Sequence, residues 1–449
     1  MVGAVNAEPL PLAIALLALL TALALALPRR WALLPLWTLV CLVPMGQEFI
    51  VLGLHFPLFR VLLLVLALRI LLRGEHADVA WSRSDTLLVA WACVAVPLGA
   101  LADADVPTLG NRLGDAYNMA LGYLAARCLV RDADDAFANI AQLAWLSLPV
   151  AALMLAERAS GHNALAALGG VPELTQTRHG DLRAQGAFRH PLLAGAFGAT
   201  QWPLFAALFV LRPRRRLVAA AGLLAATAIV LTASSSGAVL ALAAGVLALA
   251  AWCVRRRMRA LRWAALAAVC GAAAVMEAPV WYLLARMSDV VGGGGWHRAW
   301  LIQQAVDHVG EWWLVGTNVT AHWGPAGDVI DADPSMMDIT NHYVMEGVRG
   351  GMLRLGLFVA ILATAFAGVG RGVRAAADCI QPGGFLLWAL GASLFAHGVT
   401  FLSVHYFDQM ILVVAGLLGM VASLAGAPRR DVAPASAARA DTPVPRYGA

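Results

Sequence analysis

The chain has 449 residues, of which 61% are apolar and only 13% charged, with a mean hydropathy of +0.73. Soluble domains carry about 25% charged and about 45–50% apolar residues, so a water-soluble globule is excluded and a bilayer is the solvent that fits. The net charge of +5 comes from 32 basic against 27 acidic residues. Every basic residue is arginine, set in short clusters between apolar runs rather than along one polar face, which argues for membrane orientation and against nucleic acid.

A spanning helix needs roughly 20 apolar residues. Apolar runs at 10–27, 31–53, 56–72, 86–101, 111–127, 137–156, 189–211, 217–231, 237–254, 263–284, 351–369, 384–402 and 406–426 predict thirteen spans, in a range of twelve to fourteen. The pair 217–231 and 237–254 is short enough to form a tilted or re-entrant hairpin. The chain then divides into N-terminal spans (1–156), a first polar loop (157–188), central spans (189–284), a large polar loop (285–350), C-terminal spans (351–426) and a tail (427–449) whose Ala, Pro and Arg content predicts disorder.

Cytoplasmic loops carry the arginine excess. Arg29/Arg30, Arg69/Arg73/Arg83, Arg127/Arg131, Arg212–Arg216, Arg255–Arg262, Arg371/Arg374 and Arg429/Arg430 fall in alternate loops, all on one side. The N-terminus is then outside, and the first apolar run reads as an uncleaved anchor because no positive segment precedes it. The two long loops lie on the outer face with His55, His162, His179, His190, His297, His308, His322, His342 and His405, whereas His76 lies inside and His397 within a span. The six cysteines sit in or beside apolar runs, so no disulfide framework is implied.

The first loop carries Arg178, Arg183 and Arg189 into a helix starting near Pro191. Outer arginines work against the orientation rule and are costly near hydrocarbon. A repeated set suits phosphate or pyrophosphate, which guanidinium binds bidentately; headgroup contact or pairing with Glu173 and Asp181 is the plainer alternative. Thr232 and Ser234–Ser236 mark a hairpin tip, where hydroxyls cap the helix entered at Gly237. The second loop has helical spacing from Trp296 to Trp313, and Trp296, Trp300, Trp312 and Trp313 suit an interfacial helix or sugar stacking. Its glycine run 292–295 lacks the context of a nucleotide loop, so ATP binding is unsupported. Asp328, Asp331, Asp333 and Asp338 read as a solvated acidic loop in preference to a cation site. His342, flanked by Asn341 and Tyr343 and followed by Arg349 and Arg354, stands where the chain re-enters the membrane, a place suited to taking a proton from a sugar hydroxyl.

These segments, TASSSGAVLALAAGVL, RAQGAFRHPLLAGAF, HRAWLIQQAVDH with EWWLVGT, and NHYVMEGVRGGML, resemble the O-antigen ligase and O-antigen polymerase superfamily over most of the chain. The resemblance implies an all-α polytopic GT-C-type glycosyltransferase fold in the bacterial inner membrane. It implies transfer of glycan from undecaprenyl pyrophosphate to a sugar hydroxyl on the periplasmic face, without cofactor or metal. It would make His342 the catalytic histidine and place Arg189 and Arg298 among the arginines that hold the pyrophosphate. Two departures stand out: Asn341 precedes His342 where the family usually has His followed by Asn, and the hairpin lacks the family's arginine after its first serine, so Arg183 would substitute. Arg178, Arg183, Arg189, Arg298, Arg349, Trp300 and Asn341 are the expected substrate-binding residues. Polymerisation of surface or exopolysaccharide, with a chain-length regulator as partner, is preferred to ligation onto lipid A core. A transporter or flippase of lipid-linked sugar and a non-catalytic assembly subunit are the rivals.

Overall fold

The computed structural model describes residues 8–51, 54–102, 106–178, 180–289, 295–324, 329–330, 333–377 and 383–426. His179, Asp328, Asp331, Cys379, residues 292–294 of the glycine run and the 427–449 tail lie outside the described residues.

Helices dominate. In chain order they are α1 (Pro11–Ala26), α2 (Leu34–Leu42), α3 (Leu58–Leu72), α4 (Arg83–Ala102), α5 (Val106–Leu129), α6 (Ala133–Ser160), α7 (Pro191–Leu211), α8 (Arg216–Thr232), α9 (Ser236–Ala250) and α10 (Met258–Val275). Then come α11 (Leu283–Asp289), α12 (Gly295–Asp307), α13 (Val309–Trp312), α14 (His342–Val348), α15 (Gly351–Ala377), α16 (Gly383–Thr400) and α17 (Gln409–Gly426). Among the described residues, three two-stranded antiparallel hairpins punctuate the loops: β1–β2 (Glu48–Val51, Leu54–Pro57), β3–β4 (Gln176–Arg178, Asp181–Arg183) and β5–β6 (Val329–Ile330, Asp333–Met337). Among the described residues, eight helical segments are long and apolar enough to cross a membrane, which makes this an all-α, multi-pass membrane protein.

The other expected spans are shorter or more polar. The run 31–53 stops as a helix at Leu42 because Pro44 restrains the residue before it and cannot donate to a helical ladder. Beyond it, Gln47 is buried and accepts from Leu10 N (3.3 Å), and the chain turns into β1–β2 rather than completing a span. The run 263–284 begins earlier, at Met258, and its helix ends at Val275, four residues before Pro279. The helical path from Ser236 to Val275 is broken by a 3-10 stretch with a non-helical Val254.

Burial separates centre from rim. In α7 83% of the apolar window is buried and in α17 78%, against 22% from α9 through α10. Accordingly α7 packs on α8, α9 and α16, α17 on α5, and α15 against α4 and α16. Hydrocarbon offers no hydrophobic drive between helices, so these contacts rest on close packing and on hydroxyl bonds. The Ser393 hydroxyl of α16, for example, donates to Thr200 O of α7 (2.7 Å), close in sequence to the in-helix Pro203.

At the end reached by α1, α3 and α5, arginines meet carboxylates: Arg29–Asp135 at 2.6 Å, Arg69–Glu75 at 3.0 Å, Arg127–Asp85 at 3.2 Å and Arg131–Asp78 at 2.7 Å. The opposite end holds the three hairpins, α11–α14 and the loop 401–408 between α16 and α17, and the candidate site is built there.

Candidate functional site

The loop 401–408 ties this end together. Phe401 O accepts from His342 N (2.8 Å), Tyr406 N donates to His342 Nδ1 (3.4 Å), and Tyr343 Oη donates to Gly398 O (3.1 Å). Short helix α14 is thereby strapped across the top of α16. Its entry is capped by Asn341, whose Oδ1 accepts from Val344 N (3.1 Å) while its Nδ2 donates to Leu402 O (3.4 Å). The Asn341 amide is thus engaged in holding the helix start.

His342 is 2% exposed. Its ring lies among Phe401, Phe358, His405 and Tyr406, with centroids 4.7–5.8 Å away. Burial pushes its imidazole down to about 4; the Glu346 carboxylate opposes that shift, and Arg349 and Arg354 reinforce it. The ring is therefore neutral at physiological pH. The Tyr406 amide favours the tautomer with a lone pair on Nδ1 and the proton on Nε2. His405 is driven well below its ordinary value, first by burial and then by Arg349 and His342.

Beside His342 lies a dense charge cluster. Arg349 meets Asp115 at 2.6 Å, and Arg354 reaches Glu346 at 3.0 Å and Asp115 at 3.8 Å. Arg112 donates to Asn318 Oδ1 (2.8 Å), and Trp91 Nε1 donates to Glu346 (2.8 Å). Arg112, Arg349 and Arg354 face two carboxylates, so one positive charge is left over. Two of their buried donors, Arg112 Nε and Arg354 Nη1, have no acceptor among the described residues. Leaving such a donor buried and unpaired costs about 1–3 kcal/mol, more for a charged group. An anion that reached either guanidinium would satisfy its donor.

A second group of arginines gathers at the α8–α9 tip. Arg183 on β4 is buried (3% exposed), with Nε 3.4 Å from Ala233 O, while Arg298 on α12 places Nη2 3.4 Å from Ser236 Oγ. Burial lowers the Arg183 guanidinium to about 10, with Arg178 and Arg298 adding to the shift. Burial and then Arg178 lower Arg298 as well. His190, which caps α7, is taken down to about 4 by burial and by Arg183 and Arg178. Among the described residues neither Arg178 nor Arg183 is in an ion pair. Ser235 caps α9 by accepting from Ala238 N (3.5 Å), so the positive end of that helix opens toward this group. A Cβ at Gly237 would stand 2.8 Å from Ser403 Oγ and 3.3 Å from Arg298 Nη2, so a side chain there would have to push the serine hydroxyl and the guanidinium aside.

The structure thus divides the expected residues in two. Arg178, Arg183 and Arg298 form one group, His342, Arg349 and Asn341 belong to the other, and the loop from Ser403 to Asp408 runs between them. Arg189 pairs with Asp408 at the far end of that loop (3.7 Å). Asp408 is raised by burial, which Arg189 and Arg60 partly oppose. Trp300 stacks with Trp296 (6.1 Å) and His297 (5.5 Å) and packs against the loop's own apolar core. Trp312, expected at an interface, is instead 5% exposed and donates to Ala305 O (2.8 Å), where the helix is interrupted at His308.

The sequence reading passed over Arg112, Asp115 and Glu346. A signal was present, since Arg112, Asp115 and Asn118 recur every three residues within an apolar run, and ionisable groups in such runs mark functional sites. No family model matches this chain, and no curated protein does.

Proposed function

We propose that this protein is a glycosyltransferase of the inner membrane that polymerises undecaprenyl pyrophosphate-linked oligosaccharide units on the periplasmic face, with a GT-C-type fold. The observation that carries the reading is the pair of buried guanidinium donors on Arg112 and Arg354 that have no acceptor among the described residues, set beside a neutral buried imidazole. Arg178, Arg183 and Arg298 supply a second cationic surface, joined to the first by the 401–408 loop.

In this reading the arginines hold the donor's diphosphate. As the bond from the anomeric carbon to phosphate oxygen breaks, the electron pair leaves with the diphosphate, and its growing charge is met by groups already in place. The acceptor hydroxyl forms the new bond to the anomeric carbon from the opposite side, inverting the configuration. Its proton passes to His342 Nδ1, replacing the long Tyr406 contact, and from there to water. A positioned base is worth roughly 100- to 10,000-fold.

The test is transfer by the purified protein in lipid nanodiscs, offered lipid-linked repeat units alone or with lipid A core. Chain growth with repeat units alone supports polymerisation, product only with core supports ligation, and no product in either case refutes the proposal.

A further inference from the structure

The turn between α12 and α13 and the 3-10 segment Ala321–Trp323 bring His308, Glu311 and His322 together, apart from both arginine groups. One ligand atom from each lies within 4.8 Å of the others. A tetrahedral zinc with bonds near 2.0–2.1 Å would set ligand atoms about 3.3 Å apart, so small side-chain movements close the site.

The surrounding bonds already orient these groups. His308 Nδ1 faces Gln304 O (2.9 Å) and donates to it, which leaves the lone pair on Nε2. Trp323 Nε1 donates to Glu311 Oε2 (3.0 Å) and fixes the carboxylate, while His322 Nε2 stands 3.0 Å from the same oxygen. The His308 ring stacks on Trp323, centroids 5.2 Å apart and planes 18° apart. A backbone carbonyl behind a histidine and a hydrogen bond holding a carboxylate are the outer contacts that prepare metal ligands.

We infer that His308, Glu311 and His322 bind one divalent transition-metal ion, zinc by the chemistry of two imidazoles and a carboxylate without thiolate. Water completes the coordination, since the side chains of Glu311 and His322 are 39% and 49% exposed. The ion acts as a clasp. Trp312 and Trp323, which follow Glu311 and His322 in sequence, are buried with Met345 and Val348 of α14 in one apolar cluster. A Cβ at Gly347 would stand 2.6 Å from the Trp312 ring, so the α14 backbone lies directly on that indole. The clasp therefore fastens the large loop onto the helix that presents His342, and no step of glycan transfer passes through the metal.

The test uses the full chain in detergent with a histidine-free affinity tag, stripped with EDTA and titrated with zinc chloride against a chromophoric chelator. One equivalent should bind. His308→Gln, Glu311→Gln and His322→Gln should each weaken binding at least tenfold, Trp323→Phe by about 10- to 100-fold, and His297→Gln not at all. X-ray absorption on the unaltered protein should show two imidazoles at zinc, and zinc should slow chymotryptic cleavage of the loop. No bound equivalent, equal binding by the triple variant, or a spectrum without imidazole overturns the site. Binding without protection from cleavage overturns the clasp.

Discussion

Replacing His342 with glutamine tests the buried imidazole in two independent ways. Burial takes the ring from 6.5 to about 4, so between those values the unfolded chain binds a proton that the folded chain refuses. Stability from the neutral ring is complete above pH 6.5 and is lost as pH falls toward 4. At pH 5 the unfolded state is favoured by a factor of about thirty, or about 2 kcal/mol. Glutamine keeps a donor and similar bulk but does not titrate. Unfolding in nanodiscs, followed by tryptophan fluorescence at pH 7 and pH 5, should therefore show His342→Gln losing about 2 kcal/mol less on acidification than the parent. The same variant cannot take a proton and should transfer glycan about 100- to 10,000-fold more slowly. Equal acid sensitivity in the two proteins would refute the burial argument, and transfer at the parental rate would refute the base.

Glu346→Gln leaves Arg354 buried without its partner at 3.0 Å, where attraction at an effective dielectric constant of 20 is about 5 kcal/mol. Unfolding should show a loss of about 3–5 kcal/mol, most of it recovered when Arg354→Met is added; a double variant no better than the single one would contradict this. On the proposed function, Arg183→Gln removes one charge-assisted bond to phosphate, worth about 1.5–3 kcal/mol, and should raise the KM for the lipid-linked donor by about tenfold or more, measured in the transfer assay. Asn341→Ala strips the cap from α14 and should cost about 1 kcal/mol or more in thermal unfolding, whereas Asn341→Ser, which keeps a capping oxygen without setting a charge against Leu402 O, should cost less.

Composition made the membrane class legible, because apolar content at this level has no other solvent. Helix positions followed the apolar runs wherever these ended at arginine clusters, as at Arg212–Arg216 between α7 and α8. The reading failed where one proline changed the outcome: 31–53 is apolar enough to span, yet Pro44 turns it into a nine-residue helix and a hairpin. His342, Arg183 and Arg298 stood out in polar loops, where a charged residue has to be explained. Arg112 and Asp115 were hidden inside a hydrophobic run, and only the fold, which brings Asp115 to 2.6 Å from Arg349 and 3.8 Å from Arg354, reveals the cluster. The hub role of 401–408 was not legible at all, since it arises from contacts between residues tens to hundreds of positions apart.

The most direct measurement follows both products of the reaction. The purified protein in nanodiscs is given undecaprenyl pyrophosphate-linked oligosaccharide, the released polyprenyl diphosphate is quantified, and the anomeric configuration of the new linkage is read by NMR. One diphosphate released per bond formed, with the configuration opposite to that of the donor, is the result expected. Lipid-linked glycan recovered intact, or moved to the other leaflet with no diphosphate released, would contradict the account.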